Sequence, residues 1–599
     1  MDEKGFGEPI AEIAMRRLSR RQFIRGMVAT KVCAPLAAQW LATTDMARAE
    51  TREPAFTPTR RGGGGSVKVL MTSAPMLLNP WLALGWPDLS AGRIFYEPLA
   101  SFGPDGTLVP ILAREIPSVR NGGVSRDALS VTWKLKPGVL WHDGKPFTAD
   151  DVVFNWEYAA DPATATPRAG TAQELERVER LDAHTVRLVF KRPTPYWATQ
   201  FCGRGCMLPR HVFEPFRGAK SREAPANLRP VGTGPYRIVD FKPGDLIRAE
   251  INRHYHVPNR PFFDTLEVKG GGDDVSAARA VLQTGDYHLA PVAVDDDVLR
   301  RLEAGSSKGR VEMTFAGGVA MIQVNQTDPW TEVEGERSSV KVPHPLFTDP
   351  AVRQALQLVI DRVSPVEHVS GRQSVPTANM VTAPPEFVSS NTRTEFNVEK
   401  ASQVLDAAGW KRGPDGTRSK EGKRLKLLFQ GVAAPRAQKV QQIVKQSASK
   451  AGIEIEIKSI PSATFLASDP GNQDTFTHFY ADLQLIGYPS AGGPDPEWLL
   501  GRFTSWEIPQ KHNKWQGQNA PRWRSDEYDQ LFREAQRELD PARRAALFIR
   551  LNDQLVQGGA VIPYARFAHV AAMANSLHGV GWSGWDLLFW RLPYWFRQA

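Results

Sequence analysis

Residues 129–161, LSVTWKLKPGVLWHDGKPFTADDVVFNWEYAAD, constrain the fold more than any other stretch of the chain. Apolar and polar residues alternate from Ser130 to Leu135, which predicts a short strand, and Pro137-Gly138 predicts a turn after it. A second short strand is expected at residues 139–141. Thr148 is then placed as the N-cap of a helix, because two aspartates and an apolar stripe follow it. The stretch therefore predicts a strand–turn–strand–turn–helix unit.

The amino-acid sequence of this unit resembles the signature of a known family. The three pieces Lys136–Gly138, Trp141–Pro146 and Thr148–Val152 are similar to motifs of the extracytoplasmic solute-binding proteins of the peptide/nickel class (family 5), which are the binding subunits of ABC importers. The GTGPY motif at Gly232–Tyr236 and the segment Pro345–Leu356 match the same class. The resemblance covers residues from about 67 to 570.

The resemblance implies an α/β protein with the two-lobed periplasmic-binding-protein fold and an extra subdomain inserted in the first lobe. Two crossover segments, near residues 320 and 562, would join the lobes, and the solute would bind in the cleft between them. The expected division is a signal peptide at 1–49, a flexible linker at 50–66, lobe I at 67–320 with the inserted subdomain at about 97–207, lobe II at 321–562, and a return to lobe I with an aromatic C-terminal tail at 563–599.

The N-terminus predicts export. Ser19–Arg25 matches the twin-arginine motif, a weakly apolar stretch follows it, and Ala47-Arg48-Ala49 matches a signal peptidase site, so cleavage is expected after Ala49. The alternative is a basic amphipathic helix. The residues before Cys33 lack a lipoprotein box, and no later apolar run reaches the roughly 18 residues of a membrane span. We therefore expect a soluble periplasmic protein that uses the twin-arginine translocase during export.

The charge and the missing catalytic motifs exclude other classes of function. The formal net charge of +9 is spread over 599 residues without a long Lys/Arg run, so no nucleic acid partner is expected. Gly-x-Ser-x-Gly, His-Glu-x-x-His and the phosphate-binding Gly-x-x-x-x-Gly-Lys-Ser/Thr pattern are absent from the sequence. We expect no catalytic residues, no metal site and no cofactor. A secreted hydrolase with an unrecognised site is the rival hypothesis.

The resemblance assigns ligand contacts in the first lobe. The loop with Leu84, Gly85 and Trp86 lies where peptide-binding relatives line the pocket, and an exposed tryptophan there suits stacking or apolar contact. The tryptophan could instead fill the lobe interior. Arg168 takes the place of an aromatic residue that faces the ligand in oligopeptide binders. An inward Arg168 would favour a carboxylate or phosphate on the solute, whereas an outward one is a surface arginine.

In the second lobe, Asn325, Gly487, Tyr488 and Asp495 occupy positions that the resemblance assigns to the ligand site. Relatives that bind peptides carry an acid before the Asp-Pro pair of this loop, and that acid grips the peptide's amino terminus. Here the short stretch 490–492 is Ser-Ala-Gly. This departure weighs against generic dipeptide binding anchored by the amine.

The sequence holds three cysteines, of which Cys202 and Cys206 follow the predicted signal peptide. In an oxidising compartment such a pair predicts a disulfide. A metal pair is the alternative, but two further nearby ligands are missing.

The expected function is capture of a peptide or peptide-like solute and its delivery to the membrane permease of an ABC importer by a monomeric protein. The alternative within the same role is a non-peptide solute, namely an opine, a sugar derivative or a metal chelate.

Overall fold

The computed structural model describes residues 56–83, 85–467, 469–490 and 493–598. The following description concerns the compact unit Pro58–Ala599. The predicted signal peptide lies outside the described residues. Among those residues, no helix is long and apolar enough to span a bilayer.

The described strands are numbered in chain order. They are β1 Ser66–Met71, β2 Ala100–Phe102, β3 Leu108–Pro110, β4 Ser130–Lys134, β5 Leu175–Asp182, β6 Thr185–Phe190, β7 Tyr236–Lys242, β8 Leu246–Ile251, β9 Thr265–Gly270, β10 Leu289–Pro291, β11 Gly309–Val324, β12 Ser374–Pro376, β13 Lys411–Arg412, β14 Arg418–Lys420, β15 Lys423–Arg424, β16 Lys426–Val432, β17 Glu454–Ile460, β18 Leu483–Tyr488, β19 Val561–Ala574, β20 Leu577–His578 and β21 Phe596–Arg597.

The described α-helices are numbered in the same way. They are α1 Trp86–Gly92, α2 Ala149–Ala160, α3 Ala169–Gln173, α4 Arg210–Phe213, α5 Asp274–Arg279, α6 Asp296–Ala304, α7 Pro350–Val359, α8 Val363–Pro365, α9 Val398–Ala407, α10 Pro435–Lys450, α11 Ser462–Phe465, α12 Glu497–Leu500, α13 Asp526–Ala535 and α14 Pro541–Gln557.

One large sheet organises the molecule. Its strand order is β17-β16-β18-β11-β19-β10-β1-β9-β8-β7, and β12 also pairs with β19. Strand β1 runs parallel to β9 and β10, and β16 runs parallel to β17 and β18. We call the half with β1 and β7–β10 the first lobe and the half with β16–β18 the second lobe. The antiparallel pair β11–β19 passes through both lobes.

The β11–β19 ladder is interrupted at its middle. Residues 309–315 pair with 574–568, pairing resumes at Val319, and the register shifts between Phe315 and Val319. Gly317 and Gly318 occupy this gap, where a Cβ on Gly318 would lie 2.9 Å from the Phe567 ring. A side chain at Gly318 would therefore require the Phe567 ring to move, and glycine allows the close packing seen between the two strands that join the lobes.

A separate three-stranded sheet, ordered β4-β6-β5, packs with α2 in the part of the chain where the inserted subdomain is predicted. Thr148 is the N-cap of α2, and its backbone N–H donates to Asp151 Oδ2 at 2.9 Å in a capping box. The predicted cap is confirmed. The second strand predicted at 139–141 is wrong, because only an isolated bridge joins Leu140 to Pro146. The chain here turns too tightly to add a strand to the sheet.

Candidate functional site

A cavity of about 580 Å³ lies between the two lobes. The first lobe lines it with the residues that follow β1 and β10, including Thr72 and Ala293. The second lobe lines it with Val432, which ends β16, and with Arg436 in the first turn of α10. Ligands of open α/β sheets bind at the carboxyl ends of parallel strands, and this cavity has that position in both lobes.

Five aromatic residues form much of the cavity wall. They are Trp86, Tyr564, Phe567, His569 and Trp582. The His569 ring lies 5.9 Å from the Trp582 ring, measured between centroids. Burial lowers the pKa of His569, so the ring is neutral at neutral pH. The wall therefore offers flat, uncharged surfaces to a solute.

Two opposite charges line the cavity from different lobes. Asp274, at the start of α5 in the first lobe, accepts a hydrogen bond from the Thr72 hydroxyl at 2.9 Å. Arg436, in the second lobe, donates to Gln373 Oε1 at 3.2 Å, and its Nε lies 3.8 Å from Asp295 Oδ1. Asp274 can receive a cationic group of a solute, and Arg436 can receive an anionic one.

A set of ion pairs joins the two lobes beside the cavity. Arg372 of the second lobe contacts two acids of the first, Asp296 at 2.8 Å and Glu303 at 2.6 Å. Lys439 of α10 contacts Asp295 at 2.6 Å. These contacts hold the lobes together in the conformation described.

The structure places two of the predicted contacts at the cavity. Trp86, the first residue of α1, and Gly487, in β18, both line it. Gly85 is the extended N-cap of α1 and adjoins the lining without being part of it. Leu84 lies outside the described residues.

Asn325 and Tyr488 do not line the cavity. The buried Asn325 amide donates to the carbonyl oxygens of Phe479 and Ala481, at 2.9 and 3.1 Å. The buried Tyr488 hydroxyl accepts from Gln323 Nε2 at 3.1 Å. Both side chains fix loops and strands of the second lobe, and their role as ligand contacts stays a prediction.

Asp495 is buried and engaged by protein groups. Arg544 contacts both of its carboxylate oxygens, one of them at 3.1 Å, and the Glu497 backbone N–H donates to it at 2.9 Å. The buried Arg544 binds both oxygens of this carboxylate and neutralises its charge. Asp495 therefore already has its partner within the protein.

Arg168 is half-buried and does not line the cavity. Its guanidinium lies 4.7 Å from the centre of the Trp81 ring and donates to the Arg204 carbonyl oxygen at 2.7 Å. It also donates to the Pro80 carbonyl oxygen. Burial lowers its pKa to about 10.

The predicted disulfide is not present, because both thiols, Cys202 and Cys206, are free and buried. The Gly205 N–H closes a turn onto the Cys202 carbonyl oxygen at 2.9 Å, and the Cys206 thiol donates to the Gly203 carbonyl oxygen at 3.7 Å. Burial raises the pKa of both thiols, that of Cys206 to about 12. They therefore pack as small core side chains. Within the described part of the chain, no group of three or more His, Cys, Asp or Glu residues can hold a metal.

Sequence reasoning missed Asp274, Arg436, Phe567 and His569 as cavity residues. Asp274 and Arg436 stand in the first turns of helices of different lobes, and their proximity depends on how the lobes meet. Strand β19 was interpreted as a return segment alone. The aromatic C-terminal tail was a visible signal, although the prediction assigned no ligand contact to its residue Trp582.

Comparison with known proteins identifies the family. Residues 78–508 match the model of the bacterial extracellular solute-binding proteins, family 5. The oligopeptide-binding protein AppA of Bacillus subtilis is 26% identical over 440 residues, which are 72% of this chain and 75% of that protein. The glutathione-binding protein GsiB of Escherichia coli O157:H7 is 23% identical over 522 residues, 86% of this chain and 90% of that protein.

Solved structures confirm the predicted two-lobed α/β fold. AppA from Bacillus subtilis in complex with a nonapeptide superimposes with a TM-score of 0.70 at 23% identity, covering 91% of this chain and 100% of that one. NikZ from Campylobacter jejuni in complex with Ni(L-His) gives 0.72 at 20% identity, covering 89% and 99%. Together with the family match over most of the chain, the comparison shows that this chain belongs to the bacterial extracellular solute-binding proteins, family 5.

Proposed function

We propose that this protein captures a peptide or peptide-like solute in the cleft between its lobes and delivers it to the permease of an ABC importer. The observation that carries the proposal is the cavity itself, with Asp274 on one lobe and Arg436 on the other. A peptide carries an amine and a carboxylate, and these two side chains match both charges. AppA and GsiB, by their names, bind an oligopeptide and glutathione.

Strand β18 offers a backbone edge to such a solute. Its parallel pairing with β16 covers Leu483 and Gln484, whereas its antiparallel pairing with β11 continues to Tyr488. Leu485, Ile486 and Gly487 line the cavity. Within the described residues no strand pairs with this side of 485–488, so an extended peptide can add backbone hydrogen bonds there, with little dependence on its side chains.

The route of export is part of the proposal. The twin-arginine motif at Ser19–Arg25 and the small-x-small motif ending at Ala49 support translocation through the twin-arginine translocase and cleavage after Ala49. Replacing Arg20 and Arg21 by lysine is expected to abolish periplasmic accumulation of the full chain. Unchanged accumulation in the periplasmic fraction would contradict this route.

A non-peptide solute is the second candidate. The Ser-Ala-Gly stretch in place of an acid at 490–492 favours it, and so does NikZ, which holds a nickel–histidine chelate. An opine or a chelate would use the same cavity and the same charges.

The first experiment is a thermal-shift screen of the chain from Glu50 against peptides of two to nine residues, opines, sugars and metal chelates. A ligand at 100 times its dissociation constant stabilises the native state by about 2.7 kcal/mol, which gives a visible shift. We expect peptides to give the largest shifts. Shifts from opines or chelates, with none from peptides, would replace the peptide proposal by the second candidate.

Asp274→Asn tests the assigned geometry. Loss of a charge-assisted hydrogen bond is expected to weaken peptide binding about tenfold, measured by calorimetry. Asp297→Asn is the matched control, because Asp297 also lies in the first turn of a helix but is exposed and does not line the cavity. Equal affinities of the two variants would exclude a role for Asp274.

A further inference from the structure

Three arginines lie within electrostatic range of one another, although none of them is part of the cavity lining. Arg168 and Arg204 belong to the first lobe and Arg502 to the second, and the Arg168 guanidinium contacts the Arg204 backbone at 2.7 Å. Burial, together with the positive charge of Arg502, lowers the pKa of Arg204 to about 10 even though Asp586 opposes the change. We call these three residues the arginine cluster.

Two members of the cluster are held rigidly. Arg168 lies on Trp81 and donates to two backbone carbonyl oxygens. Arg502 lies between the rings of Tyr488 and Trp498, at 4.7 and 4.3 Å, and donates to Gln518. The Nε atoms of Arg168 and Arg502 are buried and have no hydrogen-bond partner. Both guanidinium groups therefore keep donor capacity that the described protein does not use.

Arg204 is the member without a partner. Among the described residues no hydrogen bond or ion pair engages its half-buried guanidinium. The carboxylate of Asp586 acts on it only at longer range, because Asp586 instead accepts the Phe102 N–H at 2.9 Å. Asp586 offsets part of the cost of desolvating this cation, and an anion in direct contact with the guanidinium would offset more of it.

Two short segments connect the cluster to the cavity. In the first, Trp81 supports Arg168 and Trp86, five positions later, lines the cavity. In the second, Tyr488 supports Arg502, and its neighbours Gly487 and Pro489 line the cavity. The residues that support the arginine cluster are thus one to five positions away in sequence from residues that line the cavity.

We propose that Arg168, Arg204 and Arg502 form an anion site that receives a carboxylate of the solute, so that the preferred solutes are acidic. Arg204 makes the direct contact, because no described residue accepts a hydrogen bond from its five N–H donors, and a guanidinium binds a carboxylate with two parallel hydrogen bonds. The inference rests on the proposed solute-binding function and specifies its substrate class.

The test compares the wild-type chain from Glu50 with Arg204→Gln, Arg204→Lys and Arg126→Gln. Arg126 is exposed and has no side-chain partner among the described residues, so its variant removes the same charge from an uninvolved surface. Thermal unfolding is followed with malonate and inorganic phosphate at constant ionic strength against chloride. Pairs of tripeptides that differ only in Glu against Gln, or in a free against an amidated carboxyl terminus, are then titrated by calorimetry.

We expect both anions to raise the unfolding midpoint of the wild type and of Arg126→Gln but not of Arg204→Gln. Acidic peptides should bind the wild type about tenfold more tightly than their neutral partners, and Arg204→Gln should lose this preference. Arg204→Lys should keep part of it, since it retains the charge without the planar fork. Without ligand, Arg204→Gln should be at least as stable as the wild type, which shows that the variant folds.

Other outcomes overturn specific claims. Equal responses of the wild type and Arg204→Gln to the anions would exclude the anion site. Equal binding of acidic and neutral peptides would exclude the substrate class while leaving solute capture intact. An anion response without any peptide binding would support the site and contradict the peptide proposal.

Discussion

Arg544 is buried and Arg204 is half-buried, and the two arginines differ in their partners within the protein. Arg544 contacts both oxygens of Asp495 and, at 3.1 Å, also Glu497. Arg204 has no such partner among the described residues. Burial alone would lower both pKa values, yet the two acids raise that of Arg544, while the pKa of Arg204 falls to about 10. The difference separates a charge that stabilises the fold from one available to a ligand.

The largest effect on the free energy of unfolding is expected from breaking the ion pair between Asp495 and Arg544. Arg544→Met leaves the Asp495 carboxylate buried without a cation, and such a loss costs about 3–5 kcal/mol in the free energy of unfolding. Urea denaturation of the chain from Glu50 measures it. The double variant Arg544→Met, Asp495→Leu should recover part of the loss. If the double variant is no more stable than the single one, the Asp495–Arg544 pair is not the source of the effect.

The second-largest loss of stability is expected from breaking the ion pairs between the lobes. Asp296 is buried, and although burial opposes its ionisation, hydrogen bonds from Arg300 and Arg372 lower its pKa. Asp296→Asn is expected to cost about 1–3 kcal/mol at pH 7, as seen by urea denaturation. Because the folded pKa is the lower one, the contribution is full above the unfolded pKa and is lost as pH falls through the folded value. The variant should therefore lose less stability on acidification than the wild type.

Asp586, near Arg204, should show the opposite pH dependence. Burial raises its pKa above the unfolded value. The protonated form is then favoured in the folded protein, so its contribution is present below the unfolded pKa and declines as pH rises through the folded one. Asp586→Asn removes this decline and can still accept the Phe102 N–H. A stability–pH curve that is unchanged in this variant would show that Asp586 does not titrate as described.

The smallest effect is expected on the open surface. Arg237 and Glu250 face each other across β7 and β8 at 2.6 Å, and about half of each side chain is exposed. Glu250→Gln should change the free energy of unfolding by under about 1 kcal/mol, and added salt should reduce even that. A larger loss would mean that pairing, rather than burial, determines how much a charged side chain contributes to the free energy of unfolding.

Sequence reasoning succeeded where the physical cause is local. The capping box of α2 depends on Thr148 and Asp151, which are three positions apart, and both the fold and this cap were predicted correctly. It could not find Arg544, because this residue meets Asp495 across 49 positions of sequence through packing of a later helix. Arg204 was hidden for another reason. Arg204 is flanked by a glycine and then a cysteine on each side, and the spacing of the two cysteines was interpreted as a disulfide.

The interrupted ladder between β11 and β19 has a practical consequence. Since the two strands stay paired on both sides of Gly317-Gly318, sliding them would break hydrogen bonds in both lobes at once, whereas bending at residues 316–318 breaks few. Bending therefore changes the distance between a point on one lobe and a point on the other, and the change grows with the distance of both points from these strands. In a fluorescence sensor built on this protein, dyes placed far from β11 and β19, one on each lobe, should give the largest signal on solute capture. Dyes beside the two strands would serve as the insensitive reference pair.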